Sequence, residues 1–348
     1  MKITRAKSSK ISSVDFSNLE FGKTFTDHIL ICKYSNGAWG EAEIIPYQKM
    51  DFSLGLHALH YGQAAFEGQK AYRQMDGSVA VFRPEKNWER LNRSAERLFM
   101  PTLPREIFVD GLMKLVEIDS EWVPKDPEKS LYLRPFMFAS SEFIAARPSE
   151  EYTFAILMSP VGAYYPKPVK VLVEEEYARS APGGIGFTKA AGNYGGAFFP
   201  TNEAIKKGYN QIIWTDPVDH EFIEESGTMN IMFKIGDTMV TPPLSDRILA
   251  GITRDSIIQI LKDKGFNVEE RRISIVEVVE AYKAGQLHEA FGMGTAAVVS
   301  KISHIGYKGV DMELTISEDS VADKIKKELT DIRLGRTEDS KGWMMHTK

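Results

Sequence analysis

The sequence predicts an α+β (mixed α/β) protein with two domains. The chain has 348 residues, which is more than one ordinary hydrophobic core encloses. Hydrophobic residues make up 43% and charged residues 26%, the composition of a well-packed globular protein. Strand and helix patterns alternate along both halves of the chain, which argues against a helical bundle or a solenoid.

The first half begins with a β-hairpin. Residues 25–34 have the pattern of a strand, and the Asn36-Gly37 pair that follows supplies the positive φ angles of a tight turn. Apolar side chains at helical spacing, among them Leu91 and Ala95, predict an amphipathic helix over residues 87–100. The other predicted elements are a strand over 79–83, a helix from about 105 to 120, and strands over 131–138 and 152–158.

A proline-rich stretch over residues 160–168 separates the two halves. We therefore predict a small N-terminal domain of residues 1–163, an interdomain loop of residues 164–172 and a larger C-terminal domain of residues 173–348. In the second half we predict strands near 169–174, 211–214, 230–235, 238–241 and 290, and helices near 202–207, 254–264 and 276–284.

Composition excludes several functional classes. A net charge of -5 without a large basic cluster argues against a nucleic-acid partner. The single cysteine, Cys32, rules out a disulfide framework, and the histidine spacing does not favour a metal site. No apolar run is long enough to cross a membrane, and we expect no targeting signal, which together predict a cytoplasmic protein.

Lys189 lies in an unusual setting, the sequence Gly186-Phe-Thr-Lys-Ala-Ala-Gly-Asn-Tyr-Gly195. Small neighbours let the backbone approach a bound molecule and leave a lysine with few counter-ions. Desolvation favours a neutral amine, which is a nucleophile able to form a Schiff base with an aldehyde. Taken by itself, the segment is also compatible with an ordinary loop lysine before a Gly-Asn turn.

Two turns are candidate anion sites. Gly251-Ile-Thr-Arg-Asp-Ser256 leads into a predicted helix, where free N–H groups and the Thr253 hydroxyl could bind an anion, although Thr253 could equally be a simple N-cap. Phe291-Gly-Met-Gly-Thr-Ala-Ala297 ends a strand with two glycines and Thr295, and it forms either an anion-binding turn or an ordinary tight turn. No nucleotide-binding loop is present.

An acidic pair, Glu224 and Glu225, precedes a Gly-Thr turn and an apolar strand. Such an acid is commonly solvated or a local cap, but it can also hold the proton of a pyridine nitrogen. A reactive lysine, two anion-binding turns, an acid for a ring nitrogen and the helix over 87–100, which carries Arg90, Arg93 and Arg97, together match pyridoxal 5′-phosphate. This cofactor carries an aldehyde, a phosphate, a ring nitrogen and a phenolic oxygen.

These residues carry a resemblance to the branched-chain amino acid aminotransferases, which are fold-type IV pyridoxal phosphate enzymes. The resemblance covers most of the chain and rests on several motifs in the same order. They are Phe21-Gly-Lys-Thr-Phe-Thr-Asp-His28, Leu59-His-Tyr-Gly62, Phe66-Glu-Gly-Gln-Lys70, Phe82-Arg-Pro84, Ser130-Leu-Tyr-Leu-Arg-Pro135, Pro160-Val-Gly-Ala-Tyr164, Lys189 to Gly195, Glu225 to Asn230 and Phe291 to Ala296.

The resemblance implies two domains with the cofactor between them. It also implies that Lys189 is the Schiff-base lysine and carries the proton between substrate and cofactor. Glu225 would pair with the pyridine nitrogen, Tyr194 would bind the phenolic oxygen, and Arg90 would bind the phosphate. The other implied cofactor-binding residues are Thr228, Leu249, Gly251, Ile252, Thr253 and Thr295.

The same resemblance implies an aromatic substrate pocket suited to leucine, isoleucine and valine. Glutamate, the second substrate, brings an extra carboxylate, for which Arg134 on the Tyr132 face of its strand is the candidate cation; its alternative is a structural ion pair. Tyr61 and Ala146 would be contributed across a homodimer interface. The remaining implied substrate-binding residues are Phe21, Phe66, Tyr132, Tyr164, Thr228, Thr295 and Ala296.

One departure from the family is visible, because Ala297 and Ser300 occupy the positions where some eukaryotic members have a Cys-x-x-Cys redox pair. Thiol switching of that kind is not expected. Three other activities remain open: a D-amino acid aminotransferase, an aminodeoxychorismate lyase of the same fold, and a non-catalytic binding protein. A nicotinamide oxidoreductase is disfavoured because its dinucleotide loop is missing.

Overall fold

The computed structural model describes residues 1–162 and 167–348, so that the predicted substrate residue Tyr164 lies outside the described residues. The chain forms two compact units. Unit 1 contains Met1–Tyr164, Thr188–Gly192 and Thr330–Lys348, and unit 2 contains Tyr165–Phe187 and Asn193–Leu329. Two segments from the second half of the chain thus belong to unit 1, which a contiguous division of the sequence does not anticipate. The predicted domain boundaries stay a prediction.

The strands, in chain order, are β1 Lys2–Ile3, β2 His28–Ser35, β3 Ala38–Trp39, β4 Glu43–Pro46, β5 Ala64–Phe66, β6 Gln69–Arg73, β7 Val79–Phe82, β8 Ser130–Ala139, β9 Tyr152–Val161, β10 Val169–Val173, β11 Gln211–Thr215, β12 Ile223–Ser226, β13 Asn230–Ile235, β14 Thr238–Thr241, β15 Asn267–Glu270, β16 Leu287–Gly294, β17 Val298–Tyr307, β18 Val310–Glu313 and β19 Met344–His346.

The α-helices are α1 His57–Tyr61, α2 Pro84–Arg97, α3 Gly111–Ile118, α4 Gly192–Gly195, α5 Phe198–Lys206, α6 Ile252–Asp263, α7 Ile275–Lys283 and α8 Val321–Arg333. A π-helical turn over Glu106–Asp110 precedes α3, and short 3₁₀ turns occur at Ile11–Ser13 and Ser120–Trp122. Searched over the described part of the chain, no helix is long and apolar enough to cross a membrane.

Unit 1 is built on a mixed sheet whose strands follow the order β1-β4-β2-β9-β8-β6-β7-β19, with β3 on β2 and β5 on β8. Strands β1 and β4 are parallel, and the other pairs are antiparallel. Helices α2 and α3 supply Leu91 and Leu112 to a core that also contains Leu131 and Leu133 of β8. The alternate residues of β8 face away from this core, as the alternation of its sequence predicts.

Unit 2 contains a second mixed sheet in the order β12-β11-β10-β17-β16-β13-β14-β15, with β18 on β17. Strand β10 runs parallel to both β11 and β17, and β14 runs parallel to β15. The core is rich in β-branched residues, among them Val171, Ile231 and Ile273, and Val278 of α7 packs into it. Such residues fit a strand that is buried on both faces.

Several predicted elements are confirmed. Asn36 and Gly37 have φ angles of 52° and 80° and connect β2 to β3 as a hairpin. Strands β13 and β14 have the bounds that the sequence predicts. Helix α2 begins at Pro84, three residues before its predicted start, because proline is well suited to the first turn of a helix. The helix predicted from about 105 begins instead with the π-helical turn before α3.

Candidate active site

The Lys189 segment is held in unit 1 by strand β5 and helix α2. The N–H of Phe66 donates to the Lys189 carbonyl at 3.1 Å, and the N–H of Ala191 donates to the Ala64 carbonyl at 3.0 Å. The N–H of Lys189 itself donates to Ser94 Oγ of α2 at 2.9 Å. The side-chain nitrogen of this half-buried lysine lies 4.8 Å from the centre of the Phe66 ring. The lysine is therefore fixed through its backbone, while its amine lies over an apolar ring.

Arg134 lies among aromatic rings on the face of β8 opposite the core. Its guanidinium carbon is 4.6 Å from the centre of the Phe66 ring and 5.2 Å from that of Tyr132. Its Nη2 donates to the Tyr132 hydroxyl at 2.8 Å, and the Tyr132 ring meets Phe21 edge to face at 4.9 Å. A Cβ at Gly68 would collide with the Tyr132 hydroxyl, so glycine is required there.

Within the part of the chain that the structure describes, Arg134 does not take part in a structural ion pair, which was the alternative to a substrate-binding role. Among the described residues, no carboxylate lies within ion-pairing distance of Arg134, and its Nε atom is buried without a hydrogen-bond partner. The positive charge is instead stabilised by the faces of aromatic rings. This arrangement presents an apolar surface that carries the Arg134 guanidinium, and the Lys189 amine lies over the same Phe66 ring.

Arg90 is oriented by a carboxylate that the sequence reasoning missed. Its Nε donates to Glu67 Oε1 and its Nη2 donates to Glu67 Oε2, both at 2.8 Å. Glu67 is fully buried. Asn87 Nδ2 donates to the same carboxylate at 2.7 Å. A two-point contact of this kind fixes the plane of a guanidinium. Ser94 connects this helix to the lysine segment, because its hydroxyl donates to the Arg90 carbonyl at 3.0 Å.

Glu225 lies in unit 2 on β12 and is 4% exposed. Its Oε1 accepts the Leu249 N–H at 2.9 Å and Asn230 Nδ2 at 3.1 Å. Its Oε2 lies 3.0 Å from Arg179 Nε. A buried carboxylate with this many donors is held in one orientation. Neither Asn230 nor Arg179 was predicted as its partner. Asn230 ends the same short motif as Glu225, whereas Arg179 lies in a distant part of the sequence that no local signal links to Glu225.

The two predicted anion turns also lie in unit 2. Helix α6 begins at Ile252 with Gly251 as its N-cap, so the alternative of Thr253 as the N-cap is wrong. The helix thus begins earlier than predicted, and Gly251 lies so close to Asn230 that a Cβ would collide with the Asn230 amide oxygen. Thr253 is buried in the first turn, where N–H groups lack partners within the helix.

The second turn connects β16 to β17 and contains Thr295 and Ala296, both half-buried. A Cβ at Gly292 would lie 2.6 Å from Met229 Cε, so a larger residue there would displace the end of the Met229 side chain. Three other predicted residues belong to unit 2. Thr228 is exposed in the turn after β12, Leu249 is half-buried just before α6, and Tyr194 is half-buried in α4.

Tyr61 and Ala146 lie on exposed segments of unit 1. The Tyr61 hydroxyl at the end of α1 donates to the Ile144 carbonyl, which ties α1 to the segment that carries Ala146. The His57 ring nitrogen Nε2 lies 2.8 Å from the Arg147 carbonyl of the same segment. No group of three or more metal-ligating side chains occurs within residues 1–162 and 167–348.

Comparison with known proteins identifies the family. The family described as Amino-transferase class IV matches residues 64–305. A protein of Bacillus subtilis named branched-chain-amino-acid aminotransferase 2 is 43% identical over 97% of this chain and 94% of its own length. The branched-chain aminotransferase of Thermoproteus uzoniensis, solved with norvaline, matches with a TM-score of 0.76 and 26% identity over 92% of this chain and 100% of that one.

A T.th. branched-chain amino acid aminotransferase, solved with pyridoxamine 5′-phosphate, matches with a TM-score of 0.73 and 25% identity over 92% of this chain and 98% of that one. The chain therefore belongs to the class IV aminotransferases and, within that class, to the branched-chain amino acid aminotransferases. The predicted fold-type IV architecture, the aminotransferase activity and the pyridoxal phosphate cofactor are confirmed.

Each unit, taken by itself, carries residues that fit this cofactor. Unit 1 provides a primary amine over an apolar ring, together with a buried and oriented arginine. Unit 2 provides a buried carboxylate suited to a protonated ring nitrogen, together with a helix start and a glycine turn suited to a phosphate. When bound, pyridoxal phosphate supplies the electron sink that lets an amino group leave one substrate and join another.

Proposed function

We propose that this enzyme transfers the amino group of L-leucine, L-isoleucine or L-valine to 2-oxoglutarate, giving the branched-chain 2-oxo acids and L-glutamate by alternating half-reactions. The observation that carries this proposal is the aromatic surface around Arg134. Ring faces of Phe66, Tyr132 and Phe21 suit an aliphatic side chain. The Arg134 guanidinium among them suits the second carboxylate of glutamate.

One pocket can serve both substrates because the Arg134 charge rests on aromatic rings. An aliphatic side chain can lie against the same rings without separating a salt bridge. A carboxylate from glutamate gains a direct ion pair in a site of low polarity, where such a pair is strong. Names of relatives support this substrate class, and so does the norvaline in the Thermoproteus uzoniensis structure.

We assign two tasks to Lys189, anchoring the cofactor and moving a proton at the substrate Cα. Both tasks need an amine held at a fixed point, and the backbone bonds to Phe66 and Ser94 provide that support. Glu225 holds the proton of the ring nitrogen, and Tyr194 hydrogen-bonds the phenolic oxygen. The phosphate is bound by Arg90 together with Gly251, Ile252, Thr253 and Thr295, while Leu249 packs on the ring and Thr228 and Ala296 contact the substrate.

The half-reactions test this function directly. Purified protein should be yellow with bound cofactor, and excess L-leucine should bleach that colour, after which 2-oxoglutarate should restore it. D-alanine and aminodeoxychorismate are the control compounds, since they are substrates of related activities. Bleaching by D-alanine but not by L-leucine would sink the proposal.

Lys189→Ala should lose transamination by at least about 10³-fold, because both the anchor and the proton carrier are removed. Single-turnover absorbance measurements with L-leucine check this outcome. Lys33→Ala, which removes an exposed lysine of β2, is the matched control and should retain normal turnover. Normal turnover in Lys189→Ala itself would refute the assignment.

We also propose that the protein is a homodimer through an exposed apolar face of unit 1, defined by Leu54, Leu59, Tyr61 and Ile144. Leu54 and Leu59 are 88% and 66% exposed, which is unusual for a monomer when such residues cluster. The same face carries Ala146, so a dimer would bring Tyr61 and Ala146 to the neighbouring active site. A cytoplasmic location stays a prediction.

Light scattering tests the dimer. Leu59→Glu should yield a monomer, because a charge at the centre of an apolar interface is costly. Met75→Glu, on the exposed turn between β6 and β7, is the matched control and should remain a dimer. A wild-type monomer at micromolar concentration would contradict the proposal.

A further inference from the structure

Arg179 is a buried cation of unit 2 that neither the motifs nor the assigned roles above include. Its side chain is 9% exposed. Its Nε lies 3.0 Å from Glu225 Oε2, and its Nη2 donates to the Gly186 carbonyl at 3.0 Å and also to the Arg247 carbonyl. One guanidinium thus joins the carboxylate of β12 to two separate backbone segments.

The surrounding segments are packed too closely to move independently. A Cβ at Gly186 would lie 2.5 Å from Ser180 Cβ and 2.7 Å from the Arg247 carbonyl oxygen, so these three segments meet without any space between them. Ser180 Oγ also donates to the Arg247 carbonyl at 3.0 Å. The Arg179 side chain therefore starts from a rigid support.

A second ion pair reinforces this arrangement. Glu224, the neighbour of Glu225 on β12, accepts a hydrogen bond from Arg247 Nε. Each of the two adjacent acids lies beside an arginine from a different segment. An arginine beside a buried acid offsets part of the cost of burying its negative charge.

We propose that Arg179 is a positioning residue for the cofactor, because its guanidinium fixes the Glu225 carboxylate and ties it to the segment that ends three residues before Lys189. The inference rests on the proposed role of Glu225 as partner of the ring nitrogen. Arg179 acts through Glu225 and through Gly186, and it needs no direct contact with substrate.

Two properties of Arg179 can be separated by substitution. The planar guanidinium donates through Nη2 to two carbonyls while its Nε lies beside the Glu225 carboxylate, whereas a lysine ammonium is a compact charge that cannot span these groups. Its positive charge also lowers the negative potential near the ring nitrogen. Arg179→Lys removes the first property and keeps the second, and Arg179→Gln removes both.

The experiment compares holoenzymes of the wild type, Arg179→Lys, Arg179→Gln and the control Arg271→Gln. Arg271 is also an ion-paired arginine of unit 2, but it binds Glu269 and Glu277 and is half-buried at the surface. The first measurement is the rate at which pyridoxal phosphate leaves each protein on dilution. The second is the pH midpoint at which the absorbance of the bound cofactor changes.

Both Arg179 variants should release cofactor about ten-fold faster or more, since hydrogen bonds to a charged group are lost. The pH midpoint should rise in Arg179→Gln, because loss of a cation favours the protonated form of the cofactor, and it should stay near the wild-type value in Arg179→Lys. The proposal would be overturned if Arg179→Lys released cofactor less than about ten-fold faster than the wild type. It would also be overturned if a folded Arg179→Gln kept the wild-type pH midpoint.

Folding and the proposed function are checked separately. Circular dichroism of each apoprotein reports folding, and if Arg179→Gln does not fold, the release rate of Arg179→Lys decides the matter alone. If the wild type bound no cofactor, the proposed function would be wrong, and this result would not depend on the role of Arg179. If the wild type binds cofactor and transaminates L-leucine, the variants test Arg179 only.

Discussion

The half-buried charge of Arg134 in unit 1 and the buried charge of Glu225 in unit 2 have opposite kinds of surroundings. Arg134 lies on aromatic rings with one hydrogen bond to a tyrosine hydroxyl. Glu225 accepts two hydrogen bonds and faces a guanidinium. The Arg134 guanidinium can therefore bind a new partner at little cost in free energy, whereas the Glu225 carboxylate is already held in a fixed position.

This difference teaches how one fold can combine variable specificity with constant chemistry. A substrate pocket that alternates between an aliphatic side chain and a carboxylate benefits from a cation without a permanent counter-ion. A carboxylate that holds a proton on a cofactor benefits from donors close to both of its oxygens, because any movement of the carboxylate would change the position of the ring. We therefore expect substitutions near Arg134 to change substrate preference and those near Glu225 to change the cofactor.

The largest effect in this comparison is expected for Glu225→Gln. Transamination of every substrate should fall by about 10² to 10³-fold, because the anion that holds the ring proton is lost. The measurement is kcat for L-leucine and for L-glutamate, and both should fall together. Glu269→Gln, which alters a partly exposed carboxylate of the same unit, is the control. A loss confined to one substrate would show that Glu225 acts in specificity.

Arg134→Met should discriminate between the two substrates. The rate of the L-glutamate half-reaction should fall by about 30-fold or more, since a half-buried charge partner is removed, whereas the L-leucine rate should change by less than about three-fold. Stopped-flow absorbance measures each half-reaction separately. Arg272→Met is a suitable control because Arg272 also lies on an aromatic ring, that of Phe222, but is exposed. Equal losses for both substrates would contradict the role of Arg134.

The smallest effect concerns pH and stability. Burial raises the pKa of the Glu224 carboxyl from its ordinary 4.5 to about 7, although Arg247 acts in the opposite direction. The folded protein therefore holds a proton that the unfolded chain has released, and the free energy of unfolding falls as pH rises from about 4.5 to 7. Glu224→Gln should lack this decline in urea titrations. The same slope in wild type and variant would show that Glu224 does not titrate in this window.

Local signals in the sequence predict much of the fold. The Asn36-Gly37 hairpin, the alternation in β8 and the bounds of β13 and β14 follow from turn chemistry and from periodicity. These features depend on residues that are near one another in the chain. Helix starts are less predictable, as α6 shows, because it begins at Ile252 after the N-cap Gly251, earlier than the apolar spacing indicates.

The candidate site divides in the same manner. Lys189 and Glu225 lie in conspicuous short motifs of the sequence. The residues that orient Arg90 and Glu225 could not be identified in the same way. Glu67 is the partner of Arg90, and Arg179 is the partner of Glu225, but each pair joins residues from separate elements. Only the folded chain brings these partners together, so composition and spacing could not reveal them.

The central claim is that substrate preference resides around Arg134 and that cofactor positioning resides around Glu225. A crossed measurement tests it most directly: the ratio of L-glutamate to L-leucine half-reaction rates and the rate of cofactor release, both determined in Arg134→Met and in Arg179→Gln. We predict that Arg134→Met lowers the ratio and leaves release unchanged, and that Arg179→Gln speeds release and leaves the ratio unchanged. If both variants changed both quantities to a similar extent, the claim would be wrong.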